Sequence, residues 1–178
     1  MKPVARMSPE EIAGLVCATL QNAGITVTLT GGGCVAIWSE GKYVSWDLDF
    51  IEEGPVPRRQ VKAALAGIGF VEKNRYFVHP ETACFVEFPT GPLTVGDERV
   101  ESVAMRDTGA GRLRLLSPTD CVKDRLAAFF HWNDREALEQ AILVARAQPI
   151  DMRDIRRWSK AEGAAEKLRT FEAALAER

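Results

Sequence analysis

The apolar positions of this chain change period along its length. From Ser8 to Asn22 they recur at helical spacing, and Ser8-Pro9-Glu10-Glu11 reads as a helix start. Serine caps, proline takes the first position, and two acids face the positive end of the dipole. Gly24 stops that helix. Ile25, Val27 and Leu29 then alternate as a strand, Val35 to Trp38 form a short apolar helix, and Val44 to Ile51 resume strand character. Pro55-Val56-Pro57 breaks the chain, after which Val61, Ala64, Leu65 and Ile68 mark an amphipathic helix over 58–67. Strands at 76–78 and 83–88 flank a His79-Pro80-Glu81 turn. A hairpin around Asp107–Gly111 joins Val100–Met105 to Leu113–Leu116. From Ser117 the pattern is helical to the end, with helices at 118–131, 134–147, 151–162 and 164–176. These elements predict an α/β fold: a small mixed β-sheet core over 1–116, followed by a C-terminal helical bundle over 117–178 packed on it.

Composition narrows the class. A chain of 178 residues buries a sizeable core without staples, and its net charge of −2 is that of an ordinary globular protein. No apolar run approaches a membrane span, and the N-terminus lacks a signal-peptide core. Cys17, Cys34, Cys84 and Cys121 form no C-x-x-C pair and read as buried, reduced thiols, which suits the cytoplasm. Charge is mildly uneven: residues 1–111 carry ten basic against fourteen acidic side chains, and 112–178 carry thirteen against eleven.

The stretch with chemistry in it is Thr30 to Ile51. Glycines open a short helix, whose N-terminus favours an anion. On the next strand Asp47 and Asp49 project to one face while Leu48 turns away. Paired carboxylates suit Mg²⁺, which completes its shell with water and substrate phosphates.

Gly32-Gly33, thirteen residues, then Asp47-Leu48-Asp49-Phe50 resembles the signature of the nucleotidyltransferase superfamily that includes DNA polymerase beta. Within it, the chain resembles the minimal nucleotidyltransferases and the AbiEii-type toxin group. Leu116-Ser117-Pro118-Thr119-Asp120 followed by Arg125-Leu126-Ala127-Ala128 is similar to that group's helix after the sheet, with Arg125 where lysine is usual. The resemblance spans roughly 24–145. It implies a Mg²⁺ (or Mn²⁺) site on Asp47, Asp49 and a third carboxylate, and an NTP cradled at Gly32 and Gly33. It also implies transfer of NMP to a hydroxyl of a protein, a tRNA 3′ end or an aminoglycoside-like small molecule. An antitoxin-type partner, or a non-catalytic nucleotide-binding module of the same fold, is the alternative.

Other positions follow from this frame. Glu87, in an otherwise apolar strand, is the candidate third acid; Asp97 is its rival, and an edge-strand glutamate facing water is the other reading of Glu87. Arg125 borders the apolar stripe of Val122, Leu126 and Phe129, where its fork suits either a triphosphate or a sheet carboxylate. Lys123 is offset toward the surface with a stem long enough for phosphate, and Asp124 faces solvent. Asp134 matches an aspartate that helps organise the active site of the resembled toxins; the plainer reading of the stretch is a connection in which Asn133 or Asp134 caps the next helix. Trp132 stacks a base or, more commonly, packs the helix junction. Arg153, Arg156, Arg157 and Lys160 line one helix face, either an RNA-tracking stripe or a solvated surface.

Overall fold

The computed structural model describes residues 2–177. After a 3₁₀ turn at Val4–Arg6 come α1 (Pro9–Asn22), β1 (Val27–Leu29), α2 (Gly31–Trp38), β2 (Asp47–Glu52) and α3 (Arg58–Ala66). Strands β3 (Val71–Lys73), β4 (Tyr76–Val78) and β5 (Phe85–Glu87) follow, then β6 (Thr94–Val95), β7 (Glu98–Arg99), β8 (Ala104–Asp107) and β9 (Arg112–Leu115). Four helices close the chain: α4 (Pro118–Trp132), α5 (Arg135–Ala147), α6 (Met152–Ala161) and α7 (Ala165–Ala176). The helical pattern read to the chain end includes Arg178, which lies outside the described residues.

Seven strands form one mixed sheet in the order β3-β4-β5-β2-β1-β9-β8, and β6 and β7 pair separately. The central pairing is parallel: Asp47 stands beside Phe85, Leu48 beside Val86, and Asp49 beside Glu87. β2 runs antiparallel to β1 on its other side. The fold is thus an α/β mixed sheet with helices after it, as the period change predicts.

Local chemistry explains the helix starts. Ser8 Oγ accepts from Glu11 N at 3.2 Å, and the Glu11 carboxylate accepts from Ser8 N at 2.8 Å, a complete capping box. Ser117, Asp134 and Asp151 cap α4, α5 and α6 with their side chains. Asn133 ends α4 in the left-handed region at φ 54°, which asparagine tolerates well.

The structure departs from the sequence pattern in three places. β2 starts at Asp47, and Val44 and Trp46 are exposed. Ser45 forms a local turn just before the strand, its hydroxyl accepting from Asp47 N and donating to Asp47 O. Residues 100–103 stay outside β8, with Val100 N bonded to Leu93 O instead. β3, β6 and β7 are extra; each has two or three residues, too few for a period to register.

The core is continuous from sheet to helices. Leu29, Leu48, Phe50, Val86 and Leu115 are buried in it, as is Trp158 of α6. Trp158 stacks on Phe130 at 5.6 Å between centroids and donates from Nε1 to Val95 O at 3.0 Å, tying α6 to α4 and β6. Cys17, Cys34, Cys84 and Cys121 are all buried thiols. No helix among the described residues is long and apolar enough to cross a membrane.

Helix α1 crosses the β8–β9 turn at contact distance. A Cβ on Gly14 would lie 2.0 Å from Thr108 Oγ1 and 2.9 Å from Gly111 O. Alanine normally favours a helix over glycine by about 1 kcal/mol. Here it meets a backbone carbonyl and a hydroxyl held by its own bond to Gly111 O. Overpacking of this kind costs about 1–3 kcal/mol, so Gly14→Ala should lose stability despite the better propensity. Urea denaturation checks the sign; a gain of about 1 kcal/mol, the propensity term alone, would refute the close packing.

Candidate metal and nucleotide site

β2 and β5 build the site through register. Because Asp49 is level with Glu87 in a parallel pair, and Asp47 lies two residues before Asp49, all three side chains share one face. Each offers a carboxylate oxygen within 4.8 Å of the others, the one such acidic group among the described residues. Asp97 is elsewhere. It lies in the β6–β7 turn, where its N–H donates to Glu162 Oε1.

Burial and like charge act together here. Asp49 is pushed up to about 7, first by burial and then by the charges of Asp47 and Glu87. Asp47 is raised as well, by burial and then by Glu87, with Arg75 pulling the other way. Asp47 Oδ1 is buried and has no hydrogen-bond partner among the described residues. A buried acceptor without a donor is costly, and a cation would satisfy it.

α2 brings its N-terminus to this group. Thr30 N donates to Asp49 O, and no side chain among the described residues caps the helix. The first-turn N–H groups of Gly31, Gly32 and Gly33 therefore stay available to an anion. The three glycines are not equivalent. Gly31 is left-handed at φ 61°, and a Cβ there would lie 2.8 Å from Asp49 Oδ2. Gly32 faces Ser45 and Tyr43. Gly33 packs the helix on the sheet, its notional Cβ at 3.2 Å from Leu29 and Leu48. Gly31 adjoins the carboxylates most closely, and the Gly-Gly signature does not include it.

The two cations named from sequence are held by protein acids. Lys123 is 2% exposed, not offset toward the surface as its helical position implied. Its ammonium pairs with Asp154, with Glu98 at 3.3 Å and with Asp120 at 3.4 Å, because α6 and β7 pack over that face of α4. Arg125 is engaged by Asp124, which accepts from Nε at 3.0 Å and Nη2 at 2.5 Å, and Nη1 reaches Gln140. Asp124 is therefore not the solvated residue its position implied. Arg125 still draws Asp49 downward through charge, while Asp124 raises it. Asp134 accepts from Ala137 N as the cap of α5.

Trp132, for which packing a helix junction is the commoner of two readings and base stacking the other, is 78% exposed and so does not pack the junction. Two of the four cations on the α6 stripe are matched by acids: Arg156 pairs with Glu172, and Arg157 with Glu98 and Asp154. Arg75, which no motif pointed to, sits at the carboxylates with Nε 3.1 Å from Glu87 Oε1. Its signal in the sequence is faint: it is one basic residue in an Asn-Arg-Tyr turn between strands.

No protein-family model and no curated protein sequence matches the chain. Two solved structures resemble it. One is the crystal structure of an antigenic nucleotidyltransferase-like protein from Paracoccidioides brasiliensis, 12% identical, with a TM-score of 0.55 over 77% of this chain and 73% of that one. The other is the solution structure of the antibiotic-resistance factor ANT(2'')-Ia, 14% identical, with a TM-score of 0.50 over 94% of each chain. The finer likeness to AbiEii-type toxins has no counterpart in these two. At such identities the likeness establishes the fold, and the fold is nucleotidyltransferase-like.

Proposed function

We propose that this protein is a metal-dependent nucleotidyltransferase in which an acceptor hydroxyl attacks the α-phosphorus of an NTP, taking NMP as the bond to the departing pyrophosphate breaks. The observation that carries the reading is the trio Asp47, Asp49 and Glu87, gathered within 4.8 Å with Asp47 Oδ1 lacking a donor. Hard oxygen ligands in this number suit Mg²⁺ or Mn²⁺. A bound ion supplies charge neutralisation on the phosphates and lowers the pKa of the attacking hydroxyl.

The chain's own groups do the rest. Amides of Gly31 and Gly32 receive phosphate oxygens at the α2 N-terminus. The left-handed glycine at 31 keeps side-chain bulk away from the Asp49 carboxylate. Glu87, on the shared face, is the acid placed to accept the acceptor's proton at a carboxylate oxygen. Arg125, Lys123 and Asp134 support the surrounding structure in this reading, through the ion pairs and cap described above. The acceptor class is a hydroxyl of a protein, an RNA or a small molecule. Ion pairs at Arg156 and Arg157 reduce the charge that the α6 stripe offers an RNA backbone. An antitoxin-type protein partner is carried by the sequence resemblance alone.

Calorimetric titration with each NTP, with and without Mg²⁺, tests the reading. Mg²⁺-dependent binding should be lost in Asp47→Asn and Asp49→Asn. Transfer should fall on the order of a hundredfold or more, as when a main electrostatic stabiliser is removed. Both variants should stay folded, since each relieves like-charge crowding. No binding of any NTP at millimolar ligand would exclude the transferase and the nucleotide-binding module alike, and would leave a module of the same fold that binds a protein or RNA partner.

The elevated Asp49 makes a separate prediction. A folded-state pKa near 7, above the ordinary 3.8, means that the folded protein holds this proton more tightly than the unfolded chain does. That contribution to stability is complete below the unfolded value and is lost as pH rises through about 7. In metal-free buffer, the melting temperature of the native protein should therefore fall relative to Asp49→Asn between pH 4 and 7, and added Mn²⁺ should reverse the loss at the upper end. A pH-independent difference between the two proteins would contradict the buried, crowded carboxylate.

A further inference from the structure

The helix facing the three acids carries no charge of its own: α2 reads GGGCVAIW. A triphosphate there needs a cation from elsewhere, and Lys123 and Arg125 already answer to Asp120, Asp154, Glu98 and Asp124. Arg75 differs from both. It lies in the β3–β4 turn, after Asn74 in the left-handed region at φ 58°. It directly precedes Tyr76, whose partner in the sheet is Glu87.

This placement holds the guanidinium at the edge of the carboxylate group. Nε lies 3.1 Å from Glu87 Oε1, the Arg75 side chain is 70% exposed, and its charge also acts on Asp47. The guanidinium lies 4.8 Å above the Tyr76 ring, and Nη2 donates to the Tyr76 hydroxyl at 2.5 Å. Arg75 thus has one carboxylate partner, an aromatic platform and an open path to solvent.

We propose that Arg75 is the triphosphate-binding cation of this site, resting on Glu87 until metal and nucleotide arrive; this rests on the nucleotidyltransferase reading. A guanidinium at 3.1 Å competes with a divalent ion for the charge of Glu87. When an ion neutralises that carboxylate, the hold on Arg75 weakens, and an exposed side chain on a turn can re-aim its fork. Planar paired donors match phosphate oxygens, which an ammonium does not reproduce. The same side chain therefore opposes metal binding in the absence of nucleotide and supports nucleotide binding in its presence.

That opposition of signs supplies the test. Native protein, Arg75→Ala and Arg75→Lys are titrated calorimetrically with Mn²⁺ alone, and then with each NTP in saturating Mg²⁺. Arg75→Ala should bind Mn²⁺ several-fold more tightly and Mg²⁺–NTP roughly tenfold more weakly, the worth of one charge-assisted hydrogen bond. Arg75→Lys should restore the native Mn²⁺ affinity but recover only part of the nucleotide affinity. Native-like nucleotide affinity in Arg75→Ala overturns this inference alone. Weakening of both ligands in Arg75→Ala also overturns it, by making Arg75 a prop for the acids. Failure of the native protein to bind any NTP overturns the nucleotidyltransferase reading, and this inference with it.

Discussion

Three carboxylates within 4.8 Å repel one another, and burial removes the water that would screen them. Much of the surrounding architecture answers that one cost. The parallel β2–β5 pairing fixes the acids on a common face, so they cannot diverge without breaking the centre of the sheet. α2 aims the positive end of its dipole toward them, and Arg75 places a positive charge on the outer member. A fold that only needed stability would hold apolar residues at 47 and 49, as it does at Leu48 and Phe50 between and after them. Polar crowding kept beside a sound core is the feature on which the proposed metal site rests.

The positive charges divide by depth. Lys123 has disappeared under α6, where three acids surround it and its ammonium ties α4 to α6 and β7. Arg125 is nearer the carboxylates but is matched by its own neighbour Asp124, so the pair presents little net charge to a ligand. Lys123 looks like a ligand binder in the sequence because two of its acidic partners, Asp154 and Glu98, are remote in the chain, whereas Arg125 is matched by its own neighbour. The partner that a buried charge finds is a tertiary fact.

Most of the fold was legible because its signals are local. Ser8, Ser117 and Asp134 each bond their own helix within three residues, so those helix starts could be read to within a residue, whereas Asp151, expected as the first residue of its helix, caps it from outside. The pairing of Asp47 with Asp49 was equally local, since strand alternation alone puts both on one face. Glu87 was harder: its strand was visible, but its level beside Asp49 depends on a parallel register set by chain well outside either motif. β6 and β7 are too short to show a period. Trp132 is exposed where packing was the commoner outcome for such a residue, and its burial depended on whether any later helix covered it. Arg75 was invisible for the same reason as Lys123, in reverse: nothing in Asn-Arg-Tyr says that the turn hangs over an acidic site.

The glycine run shows why a motif underdetermines the chemistry it marks. Gly33 is small so that α2 can lie against Leu29 and Leu48, a packing demand that any helix on a sheet could make. Gly32 is small against Ser45 and Tyr43 of the loop leading into β2. Gly31 alone combines a left-handed backbone with close approach to a carboxylate, which no residue with a Cβ satisfies without strain. A side chain at 33 would act on the fold, whereas one at 31 would push directly on Asp49. Fold and chemistry therefore meet within three consecutive residues of identical type, and only the positions of their neighbours tell them apart.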